Sequence, residues 1–266
     1  MIFAGGPIMW EKELKIASLA AEAAGGVLVE KYGHLSKIKK KGEIDLVTEA
    51  DIEAEKTIME IIIKNFPGDT LIAEESGPKK EGSDRIWIID PLDGTTNFAH
   101  EFPFFAVSLA LQVKGDIVLG IVHSPCMKEY FEAVRGSGAF LNKKPIRVSR
   151  TKDVSESLLA TGFPYDIHDN PYETMELFSR MLVKAQGLRR PGSAAMDLCY
   201  VAAGRFDGFW EQGLKPWDTA AGILIVEESG GRVTTFDGSR FSPFSDTIIA
   251  SNGPIHDELM RIINDG

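Results

Sequence analysis

Trp87-Ile-Ile-Asp90-Pro-Leu-Asp93-Gly-Thr-Thr-Asn-Phe98 is the stretch whose reading decides the rest of the chain. The apolar run Ile86 to Ile89 predicts a buried strand, and it stops at a carboxylate followed by proline. Three residues on comes a second carboxylate, then Gly94 and two threonine hydroxyls. Such a strand end offers clustered oxygens to a hard divalent cation, and Gly94 lets backbone N–H groups come close to a phosphate. Taken alone, Asp-x-x-Asp-Gly is more often a solvated loop whose Asp caps the next element.

Acids elsewhere in the chain shift that balance. Glu74 follows the short apolar run Leu71-Ile72-Ala73, and Asp218 opens an apolar helix in Lys215-Pro-Trp-Asp-Thr-Ala-Ala-Gly222. Strand ends of a layered α/β protein gather at one rim, so Glu74, Asp90, Asp93 and Asp218 can converge there. Without a cation these carboxylates would repel one another and raise their own pKa values. With two or three Mg2+ ions they form a ligand shell that leaves positions for phosphate oxygens. Each acid also has a plainer reading. Asp218 can be the N-cap of its helix, Glu74 a solvated turn residue, and Asp51 part of a capping box in Thr48-Glu-Ala-Asp51. A capping carboxylate can still accept a proton from a neighbouring water or hydroxyl.

At 266 residues, 44% hydrophobic and 26% charged, the chain suits a soluble globular protein of one large or two modest domains. A net charge of −10 argues against nucleic acid or anionic membrane as the main ligand. It also means that a phosphate substrate needs local positive charge, which divalent cations supply. Cys126 and Cys199 form no Cys-x-x-Cys pair and the histidines are scattered, which excludes a zinc ribbon or disulfide scaffold and suits a reducing cytosol. No apolar run reaches transmembrane length, and the opening Met1 to Ile8 lacks the basic start of a signal peptide. The expectation is a cytoplasmic protein.

Periodicity predicts a first helix from Met9 to Tyr32, with Leu14, Ala17, Ala21, Ala24 and Leu28 on its apolar face. A second starts at Thr48, turns Ile52, Met59, Ile62, Ile63 and Phe66 inward, and ends at Pro67. Antiparallel strands are expected at Phe105 to Val113, Asp116 to His123, Glu129 to Val134 and Ala139 to Val148. After Ser149 the pattern becomes β/α: strands at Leu158 to Thr161, Gly187 to Arg190, Gly208 to Trp210 and Thr247 to Ser251. Helices there cover Pro171 to Lys184, Ala194 to Ala203, Asp218 to Ser229 and the C-terminus. This is an α/β (α+β) chain with a large, mainly antiparallel sheet and a smaller mixed one. The expected subdomains are 1–149, carrying most of the acids, and 150–266, completing the site.

Five ordered motifs carry a resemblance: Asp45-Leu-Val-Thr-Glu-Ala-Asp51, Glu74-Glu-Ser-Gly77, Trp87 to Phe98, Gly192-Ser-Ala-Ala-Met-Asp-Leu-Cys199 and Trp217-Asp-Thr-Ala-Ala-Gly222. From about Ile44 to Gly231 the chain resembles the inositol monophosphatase family of Mg2+-dependent phosphatases. The resemblance implies a layered αβαβα sandwich of the sugar-phosphatase type. It implies that Glu74, Asp90 and the carbonyl of Leu92 hold one Mg2+, that Asp90, Asp93 and Asp218 hold a second, and that Glu74 helps with a weaker third. Thr95, paired with Asp51, would orient and deprotonate the attacking water, and the N–H groups of Gly94 and Thr95 would bind phosphate at a helix start. Gly192, Ser193, Ala194 and Glu211 match positions that contact the polyol, with Asp93 and Asp218 near its hydroxyls. Lys40, flanked by Lys39 and Lys41, falls where the family often has a basic residue.

The implied reaction is Mg2+-dependent hydrolysis of a polyol or sugar phosphate monoester, first of all myo-inositol 1-phosphate, by direct attack of a metal-activated water. Lithium sensitivity and a homodimer come with the resemblance. Thr161-Gly-Phe-Pro-Tyr165 looks like the bacterial and archaeal branch. Arg189 and Arg190 in Leu188-Arg-Arg-Pro-Gly192 are suited to a second phosphate, so fructose 1,6-bisphosphate is an alternative substrate, or they face another subunit. Similar bacterial proteins also serve as partners of the transcription machinery. A haloacid-dehalogenase-type phosphatase fits less well, because its paired acids stand two apart and Asp90 and Asp93 stand three apart around Pro91.

Overall fold

Alternation within the strands and stripes on the helices arrange the chain in five layers. A computed structural model describes residues 9–35, 38–40, 46–79, 82–164, 167–169 and 171–265. The first half runs α1 (Glu11–Lys31), β1 (Ile38–Lys40), β2 (Leu46–Thr48), α2 (Glu49–Asn65), β3 (Thr70–Ala73), β4 (Gly77–Lys79), β5 (Arg85–Asp93) and α3 (Thr95–Ala99), then β6 (Ala106–Val113), β7 (Asp116–Ser124), β8 (Glu129–Val134), β9 (Ala139–Leu141) and β10 (Lys144–Pro145). The second half runs β11 (Leu158–Thr161), α4 (Pro171–Lys184), β12 (Gly187–Arg189), α5 (Ala194–Ala202), β13 (Gly208–Gln212), α6 (Pro216–Glu228), β14 (Arg232–Thr234), β15 (Thr247–Ser251) and α7 (His256–Asn264). Ile44, Asp45, Lys37, Lys41, Tyr165 and the opening Met1 to Ile8 lie outside the described residues, as does the side chain of Lys40.

Eight strands form the large sheet in the order β10-β9-β8-β7-β6-β5-β3-β4, in which the β3–β5 pair is parallel and its neighbours antiparallel. Five form the smaller mixed sheet, β12-β11-β13-β15-β14. Successive residues of a strand face opposite sides, and the packing follows that rule. Trp87, Ile89, Leu109, Leu119 and Ile121 pack under α1 and α2, against Ala21, Leu28, Ile58 and Ile62. Their neighbours Ile88, Ala110 and Val122 face the other way, into a core shared with α5 and α6. That core also takes Ala160, Phe209, Ile248 and Ala250 from the small sheet. The opposite face of the small sheet, with Leu159, Trp210 and Ile249, packs on Leu177 and Met181 of α4 and Leu259 of α7. The layers are therefore α1α2, large sheet, α5α6, small sheet, α4α7. The strands divide between the sheets on either side of residue 149, while α5 and α6 lie between them.

Several expectations change in detail. Ile52 and Ile63 are exposed, because the buried stripe of α2 is set by Ala50, Ala54, Ile58 and Ile62, four residues apart, and both isoleucines fall off that row. The stretch Ala139 to Val148 splits into β9 and β10 around Asn142 and Lys143, both at positive φ, the backbone shape of a two-residue hairpin turn. The strand expected to stop at Asp90 continues to Asp93. The short elements β4, β14 and α3 carry too few residues to register as periodicity. Among the described residues no helix is long and apolar enough to cross a membrane.

The central layer sits close to the large sheet. A Cβ at Gly120 of β7 would stand 2.7 Å from the carbonyl oxygen of Ala221 and 3.0 Å from its Cα. That backbone cannot swing aside as a side chain would. Gly120→Ala should therefore lower stability by about 2 kcal/mol or more, the cost of overpacking a dense core. Denaturant unfolding would read this as a shifted midpoint at unchanged slope.

Candidate active site

A one-residue bulge builds the centre of the site. Asp90 pairs with Ser108 and Asp93 with Ala106, so three steps along β5 match two along β6. In a regular strand residues three apart face opposite sides; the extra residue brings both acids to one side. Leu92, inside the bulge, turns its N–H onto Asp90 Oδ1 at 2.9 Å, and its carbonyl oxygen lies 3.0 Å from Thr95 Oγ1. The chain then reverses at Gly94, whose φ of +93° suits glycine. A Cβ there would also meet the carbonyl oxygens of Phe104 at 3.0 Å and Gly192 at 3.2 Å.

Thr95 opens α3, and its Oγ1 lies 3.0 Å from Asp51 Oδ1. Asp51 is fully buried, and its other oxygen accepts the N–H of Thr48 at 2.8 Å and the Thr48 hydroxyl. The capping box and the Thr95 contact are thus both present in one carboxylate. Asp93 reaches across to the second half of the chain, where its Oδ2 accepts Ser193 Oγ at 2.6 Å and the N–H of Ala195 at 2.7 Å. Asp218 is not the N-cap of α6. The helix starts two residues earlier, with Pro216 in its first turn, and Asp218 reaches back to accept the N–H of Lys215 at 2.7 Å. Glu74 follows β3, held by its N–H on the carbonyl of Ile89 at 3.2 Å.

These residues line one cleft of about 240 Å³. Glu74, Asp90, Leu92, Asp93, Gly94 and Thr95 form one wall; Gly192, Ser193, Ala194, Glu211 and Asp218 form the other. Asp51 stands behind Thr95. Both arginines are exposed, but they part company: Arg190 lines the cleft and lies over the Phe163 ring at 5.5 Å, whereas Arg189 lies outside the cleft lining, with its guanidinium on the carbonyl of Leu188.

Burial and mutual repulsion raise the acids. Asp90 stands well above the usual carboxylate range, first through burial and then through Glu74, Asp93 and Asp218. Asp218 is raised by burial and then by Asp93. Burial lifts Asp93 to about 6 even though Ser193 and Ala195 hydrogen-bond to it. Glu211 is pushed up to about 8 by burial, against the pull of Arg190. Among the described residues no three acids converge on one ion-sized point as the side chains stand. The donor set nonetheless fits a hard divalent cation. Its donors are oxygens, and buried carboxylates held this far above their ordinary pKa gain stability from a cation between them.

Three features escape the sequence reading. Asn97 Nδ2 donates to the carbonyl of Phe104 at 2.7 Å and to that of Pro191 at 2.8 Å, and the second bond ties α3 to the second half of the chain. Gly162 lies so close to the Glu211 carboxylate that a Cβ would stand 2.1 Å from it. Asp197, on α5, is 1% exposed and lines the cleft. A charge inside the apolar run Ala-Ala-Met-Asp-Leu-Cys is the available signal for the last of these.

Comparison with known proteins places the chain among relatives. The pattern of the Inositol monophosphatase family matches residues 9–265. The chain is similar to an inositol-1-monophosphatase of Synechocystis, 46% identical over 255 residues that cover 94% of this chain and 88% of that protein. It is similar to Nus factor SuhB of Escherichia coli, 41% identical over 256 residues, 95% of this chain and 96% of that one. Its structure is similar to that of an inositol monophosphatase from Anabaena, with a TM-score of 0.86 and 42% identity across 96% of each chain.

Proposed function

Because the chain belongs to the inositol monophosphatase family, we propose that it is a Mg2+-dependent phosphatase of polyol or sugar monoesters that converts myo-inositol 1-phosphate to inositol and phosphate. The observation that carries this reading is the bulged strand end, which gathers Asp90, Leu92, Asp93 and Thr95 on one wall of a cleft whose other wall holds Asp218 and Glu211. Glu74, Asp90, the Leu92 carbonyl, Asp93 and Asp218 would hold two or three Mg2+ ions. Bound there, the ions would neutralise the phosphate dianion and make a water more acidic.

The protein's own groups do the rest. Asp51 takes the proton of the Thr95 hydroxyl into a hydrogen bond at 3.0 Å, which turns an oxygen lone pair of Thr95 toward the cleft. That lone pair accepts a hydrogen from the attacking water and aims its oxygen at phosphorus. Glu74 stands on the same wall as a second acceptor. The N–H groups of Gly94 and Thr95 bind the phosphate, and Gly192, Ser193, Ala194 and Glu211 receive the polyol.

Substrate choice turns on the arginines. Arg190 shares its part of the cleft with the carboxyls of Glu211 and Asp197, which suit hydroxyls better than a second phosphate and so favour a monophosphate over a bisphosphate. Fructose 1,6-bisphosphate is the alternative, with Arg189 and Arg190 meeting its second phosphate. Turnover of both substrates in Mg2+ and in excess chelator tests the whole proposal: activity is expected with Mg2+ alone and none in chelator. Arg189→Ala/Arg190→Ala should then leave inositol 1-phosphate hydrolysis largely unchanged if the pair serves a distal phosphate. In that case bisphosphate hydrolysis weakens by roughly ten- to a hundredfold, the value of a charge-assisted contact. Equal losses on both, with a shift from dimer to monomer in sedimentation, would assign the arginines to a subunit contact.

The raised acids also set a pH dependence. Asp93 titrates near 4 in the unfolded chain and at about 6 in the fold, so its protonated form is favoured by folding. That contribution is complete below about 4 and is lost as the pH rises through about 6. The metal-free protein should therefore melt several degrees lower at alkaline pH than near pH 5. Mg2+ should reverse most of the loss, and Asp93→Asn should flatten the profile. A melting temperature that rises steadily with pH without metal would contradict the proposed cluster.

We further propose a cytoplasmic homodimer. The outer side of α4 supports the dimer, with Tyr172, Met175, Leu182 and Val183 exposed. A regulatory role beside the transcription machinery, which the similarity to Nus factor SuhB suggests, is a second reading compatible with catalysis.

A further inference from the structure

Asp197 stands on the first turn of α5, at the floor of the cleft. It is 1% exposed, and its Oδ1 has no hydrogen-bond partner among the described residues. An unsatisfied carboxyl oxygen in such a place lowers stability, and buried acceptors in folded proteins are nearly always paired. The neighbouring groups do not supply the missing donor. Arg190 is spread over Phe163, and Glu211, the strongest charged influence on Asp197, is itself an acid. Burial, reinforced by Glu211 and Asp93, raises the pKa of Asp197 well above the usual range.

We propose that Asp197 is a specificity residue for the alcohol half of the substrate, its Oδ1 taking a hydrogen bond from a ring hydroxyl beside the one received by Glu211. This rests on the phosphatase reading and extends it to the far end of the cleft. Arg190 lies over Phe163 and leaves Oδ1 unpartnered, so the end of the cleft lined by Glu211 and Asp197 offers carboxyl acceptors, which suit a neutral hydroxyl better than a second anion. A hydroxyl also donates and accepts through one atom, so it satisfies the carboxyl in either protonation state. The helix tolerates the strain of an orphan acid because the compensating bond forms only with substrate bound.

Kinetics and binding with three probes test the assignment. Asp197→Ala should raise KM for myo-inositol 1-phosphate by roughly ten- to a hundredfold while kcat changes little. p-Nitrophenyl phosphate, which has no alcohol hydroxyl, should be hydrolysed with unchanged kcat/KM. Calorimetric titration of the Mg2+-loaded protein with inorganic phosphate should give the same Kd as before. The melting temperature should hold or rise, since an unpaired buried acid has been removed. Asp197→Asn keeps the shape and should give the same split at smaller size, which preserves the test if the alanine variant folds poorly. Equal losses on both esters, weakened phosphate binding with a lowered melting temperature, or unchanged KM for inositol 1-phosphate would each overturn the role of Asp197. If the unsubstituted protein hydrolysed neither ester, the phosphatase reading would fail and the specificity role with it.

Discussion

Asp93→Asn and Asp218→Asn are each expected to lower turnover by roughly a hundredfold or more, the scale of losing one electrostatic contact to a transition state. The two acids come from different layers, Asp93 from β5 and Asp218 from the start of α6, and they share one cleft. Their roles in folding are small by comparison. Asp93 receives Ser193 and Ala195, and Asp218 receives a single backbone N–H, all bonds that an asparagine oxygen can still accept. Circular dichroism, and melting of the metal-free protein near pH 5, should therefore be close to those of the unsubstituted protein while kcat collapses. Excess chelator should abolish activity in the unsubstituted protein, and full turnover in its presence would refute the metal requirement.

Thr95→Ala should lower kcat far more than it changes KM. Its hydroxyl sits between Asp51 Oδ1 and the Leu92 carbonyl, both at 3.0 Å. It has one proton to give and lone pairs with which to hold a water. General-base assistance of this kind contributes about a hundred- to ten-thousandfold to a rate, and the loss should fall in that range. Asp51→Asn should behave alike, and the double variant should be little worse than either single one, because the two act as a unit. Normal turnover with a raised KM in Thr95→Ala would assign the hydroxyl to uniform binding instead. Serine at position 95 should restore much of the rate.

Much of this architecture can be read from the residues. Long elements declare themselves: the alanine row of α1, the strands on either side of Lys114-Gly115 and the β/α alternation after Ser149 correspond to layers of the fold. The acids are visible because each ends an apolar run or begins an apolar helix, and the structure brings Glu74, Asp90, Asp93 and Asp218 to one cleft. Geometry that depends on pairing is not legible in this way. Nothing within β5 itself announces that Asp90 and Asp93 share a side, since that comes from their register on β6. Ile52 and Ile63 read as inward because hydrophobicity alone does not tell which of two stripes on α2 meets α1. Asp218 reads as a cap because it precedes Thr-Ala-Ala, whereas Pro216 begins a helix that the acid then supports from inside. Asp197 carries a signal, but only its burial gives that signal meaning.

The bulge between Asp90 and Asp93 has a meaning for how this chain can vary over time. Surface loops usually accept insertions and deletions freely, while strands accept substitutions more readily than changes in length. Here the span between the two acids is a counted interval inside a paired ladder, so its inheritance is of spacing as much as of letters. Loss of Pro91 or Leu92 would spare every acid in the sequence and yet remove the extra residue that frees the Leu92 carbonyl from the sheet. A descendant with all its carboxylates intact could thus be silent, and a survey that scored residue identity without counting the gap would still take it for active.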